Sequence, residues 1–184
     1  MPLPTKWSDV LSSPCFVVNM DECTDRWRLS QERIHKAGFK DVRRFSAIDA
    51  RNKEALVGAW RSIGNPKFDP SDREFIEYTG KQGCFLSHVF LFQQIIRDQI
   101  PFAIIMEDDI SFHCHWDVLA AQYYDTTPKN IDLLYFGGQI DHIMVGHILK
   151  TPVFCTHAYG VTLEGAKKIF DLLTRSPNGV RTID

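Results

Sequence analysis

Residues 101–113 read PFAIIMEDDISFH. Five consecutive apolar residues, Phe102 to Met106, have the length of a buried strand. The run then ends on three adjacent carboxylates, Glu107, Asp108 and Asp109. Burying an unpaired carboxylate is costly, and neighbouring ones repel. A strand that stops this way is expected to meet something positive at its end.

Working outward, QGCFLSHVFLFQQIIRDQ (82–99) is the strongest helical stretch. Phe85, Val89, Phe92 and Ile96 recur at helical spacing, with other apolar residues between them. A helix of that kind is buried on more than one side. Nearer the start, CFVVNM (15–20) reads as a strand and TDRWRLSQERIHKAG as a helix, with Thr24 or Asp25 as N-cap and Gly38 as the stop. VRRFSAID (42–49) reads as the next strand. KEALVGAW begins a short helix, and GNPKFDPSD is a loop by its turn formers. Beyond the acids come a helix in DVLAAQYY (117–124), a strand in DLLYFG (132–137) and a hairpin or irregular insert in HIMVGHILK. A strand in VFCTHAYGVT (153–162) and a closing helix in LEGAKKIFDLLTR follow. Strands and helices alternate, so the class is α/β with a mostly parallel central sheet flanked by helices.

The 184 residues suit one domain spanning 1–184. Apolar content of 44% and charged content of 24% are those of an ordinary soluble protein. The formal charge of -2, with Lys and Arg scattered, argues against a nucleic-acid partner. Five cysteines at wide spacing form no CxxC pair, which fits reduced thiols in a cytosol-like compartment. MPLPTKWSDVLSSP lacks the pattern of a secretory signal, and no apolar run reaches the roughly 20 residues of a membrane span. A soluble, cytoplasmic protein is therefore expected.

In open α/β sheets, ligands bind outside the carboxyl ends of the strands. The acids 107–109 lie at such an end, as do Asn19 with Asp21, and Asp49. Within EDD, Glu107 and Asp109 stand at i and i+2, so in extended chain both point one way and Asp108 the other. Two carboxylates on one side suit a divalent cation. The bland alternative is a solvated turn after the strand, with one acid capping a helix.

Six segments in order, FVVNMDECTDRW, RRFSAIDA, GKQGCFLSHVFLFQQI, PFAIIMEDDI, DLLYFGG and HAYGVTLEGAKKI, together resemble glycosyltransferase family 25. That family holds lipopolysaccharide-type sugar transferases and the collagen (hydroxylysine) galactosyltransferases. The resemblance runs from about Phe16 to Ile169, and GCFLSH shortly before MEDD is its most specific part. It implies a GT-A-like, Rossmann-type fold, inverting transfer of a hexose, a UDP-sugar donor, and Mn²⁺ or Mg²⁺. The acceptor it implies is a hydroxyl on a glycan, a lipid-linked or lipopolysaccharide-type oligosaccharide, or hydroxylysine.

Carried over by position, the resemblance places Asn19, Asp21, Asp25 and Arg26 in a first nucleotide-binding loop and Asp49 in a second. It places Gly83, Cys84, Ser87 and His88 at a helix start beside the donor. Glu107-Asp108-Asp109 becomes a variant Asp-x-Asp motif, with Asp109 on the metal, Glu107 near the ribose or the metal, and Asp108 on the donor side. Arg26 then bonds the phosphates or pairs with an acid. His157 is either a third metal ligand or a strand residue that packs. Cys84 and Ser87 are equally readable as small residues that allow close packing, and His88 as a hydrogen-bonded core histidine. His113 and His115 lack zinc partners and read as surface loop.

A base must take the acceptor's proton. Asp141 and His142, after FGGQ, and Asp184 are the candidates. In the family pattern an Asp often follows Pro-Val in this region. Here the chain closes on NGVRTID, which implies a domain short on its acceptor side. A non-catalytic nucleotide-sugar-binding relative and a UDP-sugar hydrolase are the competing readings.

Overall fold

A computed structural model of the chain describes residues 2–64, 71, 79–139 and 154–175. A five-residue helix α1 (Trp7–Leu11) precedes β1 (Pro14–Asn19), α2 (Thr24–Lys36) and β2 (Asp41–Ser46). Then come α3 (Lys53–Ser62), α4 (Thr79–Arg97), β3 (Phe102–Glu107) and α5 (Trp116–Thr126). β4 (Leu133–Gln139), β5 (Phe154–Thr162) and α6 (Leu163–Arg175) complete the described elements. The expected alternation is present, and its class is α/β.

The strands form one sheet in the order β2-β1-β3-β5-β4. β1 pairs in parallel with both β2 and β3, while β5 runs antiparallel to β3 and to β4. Four strands thus share a direction and β5 alone opposes it. From β1 the chain steps outward to β2, then crosses back to lay β3 on the other side of β1. That reversal makes the carboxyl ends of β1 and β3 a topological switch point, and ligands bind outside such ends in this class of sheet.

Alternation along β3 divides its side chains between two cores. Phe102, Ile104 and Met106 pack with Cys15, Val17 and the residues around Phe39 and Tyr124, on the side of α1, α2 and α5. Ala103 and Ile105 pack with Phe16, Tyr159, Val161 and α4, on the side of α3, α4 and α6. α4 is apolar nearly all round because it lies between the sheet, α3 and α6. Phe85, Leu86, Val89, Leu91 and Ile95 are fully buried.

Three local details differ from the sequence reading. α1 is an unexpected helix, too short to carry a periodic pattern. The residue before α2 is Cys23, with no side-chain capping bond, so neither Thr24 nor Asp25 caps it. β2 stops at Ser46, three residues before Asp49, because the chain turns there to reach α3. Gly38 does end α2, in the left-handed region at φ 100°, which favours glycine. Among the described residues no helix is long and apolar enough to cross a membrane.

Candidate active site

The alternation that builds the two cores also orients Glu107, the last residue of β3. Glu107 follows Ala103 and Ile105 in parity and faces α4. Met106 and Asp108 face α2. On β5, His157 shares parity with Tyr159 and Val161, so it too faces α4. Because β5 is antiparallel, with Met106 opposite Ala158, the early part of β5 lies beside the end of β3. His157 Nδ1 stands 3.6 Å from Glu107 Oε2. Asp109, in the turn after β3, swings back toward the same place. Glu107, Asp109 and His157 each offer a ligand atom, and these atoms lie within 4.8 Å of one another. Asp109 is 58% exposed and Glu107 27%, so the group opens to solvent.

Asp108 turns the other way and is nearly buried, at 8% exposure. Its Oδ2 accepts from Asn19 Nδ2 at 2.6 Å, and its Oδ1 accepts a charge-assisted bond from Arg26. Arg26 also stands 3.9 Å from Asp109. This is the positive partner that three adjacent carboxylates require. Asn19, itself buried, donates to the Cys23 carbonyl and accepts from Arg44 Nε at 2.8 Å. Arg44 in turn donates to the carbonyls of Met20 and Asp21. The β1–α2 loop and the β3 turn are thereby locked together. Asp108 and Asn19 are both buried and support the acid turn from beneath.

α4 packs against the loop after β2 through small and polar residues. A Cβ on Gly83 would lie 2.8 Å from the Ile48 carbonyl oxygen, so only glycine lets the helix approach the loop after β2. Ser87 Oγ donates to the Gly83 carbonyl at 2.7 Å and accepts from the Ile48 amide at 2.9 Å. His88 is fully buried beneath Glu107 and Cys84. Its Nδ1 lies 2.6 Å from the Tyr159 hydroxyl, and its buried Nε2 has no hydrogen-bond partner among the described residues. Burial lowers its pKa to about 4 and raises that of Tyr159 well above 10, with Tyr135 adding to the effect. Both are neutral at pH 7. Cys84, His88 and Glu107 form a second group with ligand atoms within 4.8 Å of one another.

The remaining predicted residues lie farther out. Asp21 accepts from Ser46 Oγ at 2.7 Å, and Asp25 is exposed in the first turn of α2. Asp49 is clamped by Arg51 at 2.8 and 2.9 Å, and that pairing lowers its pKa. Arg51 also bonds Glu22 at 2.5 Å, so the β1–α2 and β2–α3 loops are tied at the rim. His113 and His115 are exposed, as a surface loop requires. Asp141, His142 and Asp184 lie outside the described residues. Two contributors escape a reading of the sequence. Arg44 is one of a pair of arginines in β2, and the partner that gives it a role, Asn19, is 25 residues away. Tyr159 reads as an ordinary strand aromatic until β5 brings it over His88.

A family model described as glycosyltransferase family 25 (LPS biosynthesis protein) matches residues 12–142, from just before β1 to just past β4. The chain belongs to glycosyltransferase family 25. A glycosyltransferase 25 family member from Aedes aegypti is 26% identical to this family 25 chain over 174 residues, covering 86% of the chain and 28% of that protein. Procollagen galactosyltransferase 2 from Mus musculus is 23% identical over 172 residues, covering 84% and 27%. The chain therefore spans under a third of the length of these relatives. Among solved structures, a glycosyltransferase involved in glycosylating the major capsid of PBCV-1 superposes with a TM-score of 0.47 at 12% identity, covering 90% of this chain and 68% of that one.

Proposed function

We propose that this chain is the donor-binding domain of a metal-dependent, GT-A-type hexosyltransferase. It takes galactose or glucose from a UDP-sugar and delivers it, with inversion, to a hydroxyl on a glycan, a lipopolysaccharide-type oligosaccharide or hydroxylysine. The observation that carries this reading is the convergence of Glu107, Asp109 and His157 where the carboxyl end of β3 meets the start of β5. Two carboxylates and an imidazole form a donor set that suits Mn²⁺ or Mg²⁺. Glu107, Asp109 and His157 would hold the ion from one side and leave its remaining positions open to a diphosphate. When bound, such an ion supplies Lewis-acid stabilisation of the negative charge that grows on the departing nucleoside diphosphate.

The protein's own residues prepare this site in three ways. Arg26, half-exposed and paired with Asp108, offers its open face to the same phosphates. Asn19 and Arg44 hold the β1–α2 loop so that Arg26 stays beside the turn. The Gly83 contact sets the loop after β2, with Asp49 and Arg51 at its tip, where the base and ribose of the donor would lie. Asp141, His142 and Asp184 remain the proposed bases for the acceptor proton.

A screen of UDP-sugars for UDP release, with and without glycan and peptide acceptors, tests the reading. Release should require Mn²⁺ or Mg²⁺, favour UDP-galactose or UDP-glucose, and fall at least about a hundredfold in Asp109→Ala. Acceptor-stimulated release marks a transferase, and acceptor-independent release a hydrolase. Release that ignores both the metal and Asp109 would refute the metal-dependent site.

A further inference from the structure

The mixed group beneath the open site has different chemistry from the one above it. Cys84 and His88 stand at i and i+4 on α4, so both side chains face one way, and Glu107 reaches them from β3. One atom from each lies within 4.8 Å of the others. Of the two His88 nitrogens, Nδ1 is engaged by Tyr159, while Nε2 is buried and lacks a partner among the described residues. A buried polar atom left unsatisfied costs about 1–3 kcal/mol and calls for an explanation.

We propose that Cys84, His88 and Glu107 form a second metal site, selective for a thiophilic divalent cation such as Zn²⁺ or Cd²⁺. Thiolate and imidazole favour such ions, whereas two carboxylates and one imidazole favour Mn²⁺ or Mg²⁺. Ligand atoms around tetrahedral zinc stand about 3.5 Å apart, given Zn–S near 2.3 Å and Zn–N near 2.0 Å. Side-chain shifts of about 1 Å therefore close the group. On binding, the Cys84 thiol gives its proton to solvent. His88 coordinates through Nε2 and carries its proton on Nδ1, directed at the Tyr159 oxygen. A tyrosine in that position fixes the ring as outer-shell partners commonly do.

Glu107 belongs to both groups and cannot serve both ions fully. A thiophilic ion in the lower site draws Glu107 away from Asp109 and His157, and so weakens Mn²⁺ binding. The competition rests on the proposed donor site, whereas the lower site stands on its own ligands.

Cobalt or cadmium titration of the chelator-treated chain reads the lower site through its thiolate-to-metal charge-transfer band. One saturable equivalent is expected. The band should vanish in Cys84→Ser and persist in Asp109→Asn. In Glu107→Gln the affinity should fall by at least the roughly tenfold that even an outer-shell change costs. In the unsubstituted protein, cadmium should slow alkylation of Cys84, read by mass spectrometry, without slowing that of the exposed Cys114. Bound cadmium should also lower Mn²⁺ occupancy, measured by paramagnetic resonance. A band that survives Cys84→Ser, or alkylation of Cys84 that ignores cadmium, would overturn the lower site. If Mn²⁺ occupancy is untouched while the band behaves as expected, only the sharing of Glu107 fails. Loss of the UDP response with the band intact would count against the donor reading alone.

Discussion

His88 shows how far a residue's surroundings set its chemistry. An exposed histidine titrates near 6.5, but burial brings this one to about 4. The unfolded chain therefore binds a proton at a pH where the native metal-free protein does not. The resulting contribution to stability is complete above about 6.5 and is lost as pH falls from there through about 4. Its full size is up to about 3 kcal/mol. With metals chelated, the His88 ring resonances should stay at their neutral positions from pH 7.5 down to 5. A titration centred near 6.5 would contradict the burial. The sequence permitted both a core histidine and a donor-side histidine here. Nothing in its neighbours discloses that Tyr159, 71 residues away, completes its environment. The acids were more legible, because period-two alternation needs only strand geometry. It put Glu107 and Asp109 on one side and Asp108 on the other; the structure has the same arrangement, but β3 ends at Glu107, so Asp109 arrives there through the turn and not by alternation.

At the scale of elements, the presence of α4 and β3 follows from hydrophobic pattern, as expected, although α4 runs from Thr79 to Arg97 rather than over 82–99. The direction of β5 does not. An apolar run is the same read either way, and only the pairing with β3 shows that β5 is reversed. That reversal is what brings His157 to Glu107. α1 was invisible for a simpler reason, since five residues cannot display a helical period. The seating of α4 depends on Gly83, whose added Cβ would lie 2.8 Å from Ile48 O and 2.9 Å from the Ala50 Cβ. Gly58, inside α3, has nothing within 4 Å of an added Cβ. Gly83→Ala should lower stability by about 1–3 kcal/mol through overpacking against backbone. Gly58→Ala should raise it by up to about 1 kcal/mol through helix propensity. Urea midpoints at unchanged slope would measure both. Equal effects at the two positions would contradict the close approach.

Across the whole molecule, the strand order puts the acid turn where the sheet reverses its winding. β1 and β3 lie side by side with Val18 opposite Glu107, and their carboxyl ends carry Asn19 and the acid turn. The Arg26–Asp108–Asn19–Arg44 chain braces that turn from below, leaving Glu107 and Asp109 directed to the other side with His157. The same residues make the central claim measurable without knowledge of sugar or acceptor. Thermal unfolding should be followed with UDP alone, Mn²⁺ alone, and the two together. Joint addition should raise the midpoint by several degrees beyond the sum of the separate effects, because a ligand that binds only the native state stabilises it by mass action. The joint effect should disappear in Asp109→Ala. A midpoint that UDP and Mn²⁺ together leave unchanged, or a joint effect that survives that substitution, would contradict the account.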